Sequence, residues 1–209
     1  MTMVTVKICG LTDGGDAMLA AEAGADFLGF VFAPGSPRSL ALSDCAWIRA
    51  LPCAGKVGVF RNQAPSFVEE VREAGRLELV QLHGQEPPEL CHALGGRERV
   101  IKAVTVDQQV DWGMVAAYAE VARILFDRGG GGGQPFPWRL LACPPFPLAF
   151  WVAGGLKPGN VGGAIATCHP AGVDVSSGVE SAPGRKDPVK VRAFIRAVRQ
   201  GGLRETATG

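Results

Sequence analysis

The chain has 209 residues, of which 47% are hydrophobic, enough for one domain with a large core. Its 21 basic and 20 acidic residues nearly cancel, which speaks against a nucleic-acid partner, because reading a phosphate backbone needs a basic face. No uninterrupted apolar stretch approaches the ~20 residues of a membrane span, and no secretory core fits ahead of Lys7.

Short apolar runs set the organisation. Residues 4–8 are β-branched and predict a strand closed by Cys9; residues 13–23, Ala/Leu-rich with an Asp at the start, predict a helix that Gly24 ends. Residues 27–31 predict a second strand, 33–39 a Pro/Gly/Ser loop, and Ser43 caps a helix to Leu51. Residues 56–60 predict the third strand, and Pro65 suits the first turn of a helix to Ala74. Residues 79–83 predict the fourth strand, followed by a helix from Pro87-Pro88 to Leu94. Residues 100–104 predict the fifth, followed by the weakest helical pattern, 107–119. Residues 124–126 predict the sixth; five glycines at 129–133 and a short helix over 138–143 follow. Residues 150–153 and 172–175 predict the last strands, with helices over 158–168 and 187–199; in the latter Val191, Phe194, Ile195 and Val198 make one stripe.

The runs recur about every 21–29 residues, one strand, helix and pair of loops each. Alternation of strand and helix predicts a parallel sheet, and eight units predict its closure into a TIM (β/α)8 barrel. The expectation is a single domain over residues 1–200 with a disordered tail over 201–209. An open doubly wound sheet would carry G-x-G-x-x-G after its first strand; Cys9-Gly10-Leu11-Thr12 is not that. The six cysteines include no C-x-x-C pair, and free thiols in a reducing cytoplasm are expected. Three histidines without ligand spacing, and no cysteine cluster, speak against a metal site.

A barrel gathers its strand C-termini on one face, so chemistry-bearing residues at those ends should share a pocket. Strand seven runs into Gly154-Gly155 and strand eight into Ser176-Ser177-Gly178, two small-residue turns suited to cradling a phosphate. Period two puts Lys7 and Cys9 on one face, and Asp174 on the abutting eighth strand is a partner for that lysine. A nearby ammonium would favour the Cys9 thiolate as general base; by itself the cysteine also suits core filling. Asp127 closes strand six and suits either a general acid or the cap of the Arg128-Gly129 turn. Arg38, stiffened by Pro37, could fork onto a carboxylate or face solvent. Gln81 and His83 sit at strand four, where His83 suits a structural role as well as substrate contact. Residues 129–133 are expected to form a mobile active-site loop.

These residues stand in motifs that resemble the phosphoribosylanthranilate isomerase family: Lys7-Ile8-Cys9-Gly10, Gly29-Phe30-Val31-Phe32, Ser36-Pro37-Arg38, Val57-Gly58-Val59-Phe60, Gln81-Leu82-His83-Gly84, Ala153-Gly154-Gly155-Leu156, Gly172 through Glu180, and Pro183-Gly184-Arg185-Lys186-Asp187. They run in the family's order along most of the chain. The resemblance implies a cofactor-free Amadori rearrangement of a small-molecule substrate, N-(5-phosphoribosyl)anthranilate, in tryptophan biosynthesis, by a monomer or homodimer. By that resemblance Asp127 is the acid, Cys9 the base, Arg38 the holder of the anthranilate carboxylate, and the amides of Gly155, Ser177 and Gly178 the phosphate site. One region departs: the family's Gly-Gly-Thr-Gly before Phe-Asp-Trp is replaced by the glycine run and Phe136-Pro137-Trp138. Among other sugar-phosphate barrels, an indole-glycerol-phosphate synthase would need further lysine and glutamate catalysts and a segment ahead of strand one. A ribulose-phosphate epimerase would need strand-end metal ligands. A non-catalytic module keeping the phosphate cradle would not need Cys9 and Asp127.

Overall fold

The computed structural model describes residues 3–52, 55–129 and 135–204. Eight strands, β1 (Thr5–Cys9), β2 (Phe27–Val31), β3 (Lys56–Phe60), β4 (Leu79–Leu82), β5 (Val100–Thr105), β6 (Arg123–Asp127), β7 (Phe150–Val152) and β8 (Gly172–Val175), close into the predicted parallel barrel in sequence order. Around it lie α1 (Gly14–Glu22), α2 (Cys45–Ala50), α3 (Pro65–Gly75), α4 (Pro88–Ala93), α5 (Trp112–Ala119), α6 (Val161–Cys168) and α7 (Pro188–Arg204). A small antiparallel pair, β9 (Glu180–Ala182) and β10 (Arg185–Lys186), follows β8.

The strands read as continuous apolar runs because both faces are buried. Val6, Ile8, Leu28, Phe30, Val80, Leu82, Ile124 and Phe126 face the helices and join Ala17, Ile48, Val71 and Phe194 in one core. Val57, Leu79, Ile101, Leu125 and Trp151 fill the barrel interior. Helix limits depart from the sequence expectation where side chains cap the backbone. The Asp111 carboxylate accepts from Met114 N at 2.9 Å, so α5 starts at Trp112 and 107–111 is loop. A 3-10 turn, Leu42–Asp44, precedes α2 in place of a Ser43 cap, and Trp138–Leu141 is a 3-10 helix rather than an α-helix. Helix α7 continues through Gly201, which lies against Ile165 and Gly162, to Arg204; the disordered tail expected from 201 onward is corrected to that extent, and 205–209 lie outside the described residues. So do 130–134, the bulk of the expected glycine loop.

Three polar side chains interrupt the apolar barrel interior. Lys7 is fully buried, and Gln81 and Asp174 are nearly so. Register pairs Lys7 with Asp174 where β8 closes on β1. The Lys7 ammonium donates to Asp174 Oδ2 and to Gln81 Oε1, each at 2.8 Å, as the strand order predicts for the ion pair. At the same seam Arg199 of α7 donates from Nη1 to Val4 O at 2.7 Å and from Nη2 to Asp26 Oδ2 at 3.0 Å.

Removing one partner strands the other charge. Asp174→Ala should lower unfolding stability by about 3–5 kcal/mol in a urea titration. The double variant Lys7→Met/Asp174→Ala should recover part of that loss; a loss equal to or larger than the single variant's would mean that the carboxylate does not compensate the ammonium.

Candidate active site

At the strand C-termini opens a cavity of about 820 Å³, within the range of small-molecule sites. All eleven residues singled out from the sequence line it: Cys9, Arg38, Gln81, His83, Asp127, Gly154, Gly155, Asp174, Ser176, Ser177 and Gly178. Their elements explain the convergence. Each follows a barrel strand or lies in its C-terminal half, and inward residues of neighbouring strands face a common axis.

Cys9 ends β1 and is 8% exposed. Gly29 on β2 makes room for it: a Cβ there would stand 2.7 Å from Cys9 Sγ and 3.0 Å from Lys7 Cε, so any larger residue would displace the thiol. Burial pushes the Cys9 thiol above its ordinary value; Lys7 opposes this, while the Asp174 carboxylate adds to the rise. Lys7 thus acts on the thiolate in the direction expected, but burial outweighs it and leaves the thiol raised. For Lys7 itself burial acts downward, but Asp174 and then Cys9 outweigh it, and the group stays an ammonium.

Asp127 ends β6 in the opposite wall, and its two oxygens meet different partners. Oδ1 accepts from Gly129 N at 3.1 Å, holding the turn; Oδ2 lies 3.4 Å from His83 Nε2. Gly154 adjoins it at φ +80, and a Cβ there would meet Asp127 Oδ1 and Arg128 N at 2.8 Å. Only glycine combines that left-handed backbone with space for the carboxylate.

Arg38 reaches the cavity from the loop after β2, but its fork is already engaged. Nε donates to Glu180 Oε1 at 2.7 Å and Nη2 to Glu180 Oε2 at 2.6 Å, a bidentate pair. Nη1 takes no part in that fork. Glu180 carried no role in the sequence reading, nor did Lys186, whose buried ammonium donates to Glu180 Oε1 at 2.8 Å. Burial acts to raise the Glu180 carboxyl, yet Arg38 and Lys186 hold it below the ordinary range.

On the remaining rim, Ser177–Val179 forms a 3-10 turn just after β8, on the same side as Gly154 and Gly155, and Gly178 packs against the Leu156 peptide. Asn160 Nδ2 donates to Gly155 O at 2.9 Å and orients that peptide. Among the described residues, Ser176 Oγ and Asp174 Oδ1 are buried side-chain atoms lacking a protein partner, and both residues line the cavity. Buried polar atoms are rarely left so without a ligand or water to meet. Gln81 differs from the other predicted contacts: its oxygen takes Lys7 and its nitrogen lies 3.2 Å from His83 Nδ1.

The arrangement offers a thiol and a carboxyl on opposed walls, a guanidinium at one margin and a small-residue rim at another. Residues 6–197 match the family model described as N-(5'phosphoribosyl)anthranilate (PRA) isomerase. Proteins named N-(5'-phosphoribosyl)anthranilate isomerase are similar over nearly all their length. The one from Geobacter sulfurreducens is 46% identical over 93% of this chain and 98% of its own, and that from Myxococcus xanthus 46% identical over 97% and 99%. Among solved structures, phosphoribosyl anthranilate isomerase from Thermotoga maritima superposes with a TM-score of 0.86 at 42% identity, covering 95% of this chain and 100% of its own. A phosphoribosyl anthranilate isomerase in complex with reduced 1-(o-carboxyphenylamino)-1-deoxyribulose 5-phosphate gives 0.84 at 41% identity, with the same coverage.

The electrostatics around the thiol can be tested directly. Asp174→Asn removes a carboxylate that raises the Cys9 thiol, so the thiol should titrate at lower pH in this variant. Ultraviolet thiolate absorbance, with Cys9→Ser as the blank, reads the shift; an unmoved titration would refute the coupling.

Proposed function

Because the chain belongs to the N-(5'-phosphoribosyl)anthranilate isomerase family, we propose that Cys9 is the general base and Asp127 the general acid of its Amadori rearrangement. The reaction converts N-(5-phosphoribosyl)anthranilate to 1-(2-carboxyphenylamino)-1-deoxyribulose 5-phosphate in tryptophan biosynthesis. The observation that carries the assignment is the entry of Cys9 from β1 and Asp127 from β6 into one cavity.

Asp127 gives a proton to the furanose ring oxygen as the C1–O bond breaks and a protonated Schiff base forms. The Cys9 thiolate takes the C2 proton, and the freed electron pair becomes the C1–C2 double bond of an enolamine. Loss of the C2 hydroxyl proton and addition of a proton at C1 complete the ketone. Separate groups suit this sequence, since one must donate while the other accepts. The donors of Arg38 outside its Glu180 fork hold the anthranilate carboxylate. The amides of Gly155, Ser177 and Gly178, with Gly154 and the Ser176 hydroxyl beside them, hold the phosphate. Asp174 Oδ1 accepts from a ribose hydroxyl, while Gln81 and His83 form the cavity floor.

The enzyme works in the cytoplasm, a reading supported by five free cysteines among the described residues. No helix of the described residues is long and apolar enough to cross a membrane. It acts as a monomer or a homodimer; a structure described as monomers generated from the dimeric isomerase of Thermotoga maritima has a TM-score of 0.86 to this chain.

Following substrate fluorescence, Cys9→Ser and Asp127→Asn should each lose ~10²-fold or more in kcat, the scale of general acid–base catalysis. Retained activity in both would refute the mechanism. For wild type, the limb of the pH profile that reports the base should rise with pH, because the thiolate is the working form. Its midpoint should lie above an ordinary thiol, as burial of Cys9 requires; a midpoint below it would assign the limb to another group.

A further inference from the structure

A hydrogen-bonded chain crosses the cavity floor from the base wall to the acid wall. The Lys7 ammonium donates to Gln81 Oε1 at 2.8 Å, Gln81 Nε2 lies 3.2 Å from His83 Nδ1, and His83 Nε2 lies 3.4 Å from Asp127 Oδ2. Donor and acceptor roles along it follow from the first member. An ammonium has donors and no acceptor, so the Gln81 atom facing Lys7 must be the amide oxygen. The amide NH2 then faces His83, and the ring nitrogen it meets must be a bare acceptor. In a neutral imidazole the proton is left for Nε2, on the side of Asp127.

The protonated ring does not fit this floor. An imidazolium carries N–H on both nitrogens, so Nδ1–H would oppose the Gln81 NH2. The amide cannot turn over to accept it, because its nitrogen would then face Lys7. Gln81 is 1% exposed, so water offers little relief. We propose that Gln81, held by Lys7, is a positioning residue that keeps His83 as the neutral Nε2–H tautomer facing Asp127. Resting on the acid role proposed for Asp127, this arrangement keeps a cation away from the proton donor. An imidazolium at 3.4 Å would favour the carboxylate form of Asp127 and oppose proton delivery.

The surroundings agree in direction. Burial acts first to disfavour the charged ring; Asp127 on β6 opposes it, Lys7 on β1 supports it, Asp174 on β8 opposes it and Lys102 on β5 supports it, leaving His83 below its ordinary value. Arg61, at the end of β3, adds a further cation to the same cavity. Gln81 is thus a residue of the active-site floor that acts through His83 rather than on the substrate.

Ring 15N chemical shifts of histidine-labelled, substrate-free enzyme test the proposal, with His83→Gln removing and so assigning the signal. At neutral pH the wild-type Nδ1 should show the far-downfield shift of a bare ring nitrogen, and Nε2 that of an N–H. An Nδ1–H tautomer or an imidazolium would overturn the proposal. In Gln81→Glu the new carboxylate can accept from both Lys7 and His83 Nδ1–H, so the ring should become an imidazolium at neutral pH. There kcat should fall roughly tenfold or more, with the proton-donor limb of its pH profile moved to lower pH and KM less affected. A ring unchanged by Gln81→Glu would overturn the proposal. Should that variant fail to fold, the wild-type spectrum still decides the tautomer. The spectrum needs no turnover, so a failed acid assignment, read from Asp127→Asn activity, is distinguishable from a failed tautomer.

Discussion

A charge enclosed in an apolar barrel is the constraint around which this molecule is built. Lys7 has no access to solvent, and an unpaired ammonium there would carry a desolvation penalty of several kcal/mol. Its compensation comes from a carboxylate on the last strand and an amide oxygen on the fourth. Those two bonds fix more than the lysine. One places a carboxylate beside the thiol of β1, and the other orients an amide whose far side meets His83. Lys7 therefore bears on both walls of the cavity, through Asp174 beside Cys9 and through Gln81 toward His83 and Asp127.

A second buried anion organises the opposite margin. Glu180 binds the guanidinium of Arg38 along one edge and the ammonium of Lys186 on the same oxygen that takes Arg38 Nε. A lone arginine on a loop would sample many rotamers; a bidentate fork onto a buried carboxylate leaves one. In the role proposed for Arg38, the substrate's carboxylate would meet a cation that is already oriented, which lowers the entropy lost on binding. The short β9–β10 pair that carries Glu180 and Lys186 belongs functionally to the site, though it stands outside the barrel.

Much of this was legible in the sequence for a specific reason. Strands buried on both faces leave unbroken apolar runs, so all eight were found close to their limits. Period two and the adjacency of the first and last strands sufficed to pair Lys7 with Asp174. Less was legible where one residue's role depends on several distant partners. Nothing local in Gln81 says that its oxygen meets a residue 74 positions away while its nitrogen meets a neighbour two positions on. Arg38 reads as a free fork until Glu180, 142 positions later, is seen to fill it. The sequence shows the lysine that favours the Cys9 thiolate, but not the depth of burial that outweighs it or the carboxylate that adds to the rise. Helix α7 outran its expected end because packing of Gly201 against α6 outweighs glycine's poor helix propensity.

The seam where β8 meets β1 has a consequence for the newborn polypeptide. The ribosome makes Lys7 early and its counter-ion 167 residues later. Until then the lysine's best partner is water, and a partly assembled sheet that trapped it would be penalised. Closure thus comes late in synthesis, and the reactive centre is withheld from any fragment lacking the eighth strand. A prematurely terminated product would leave the Lys7 ammonium without its counter-ion, so burying that strand would carry the uncompensated cost of the charge.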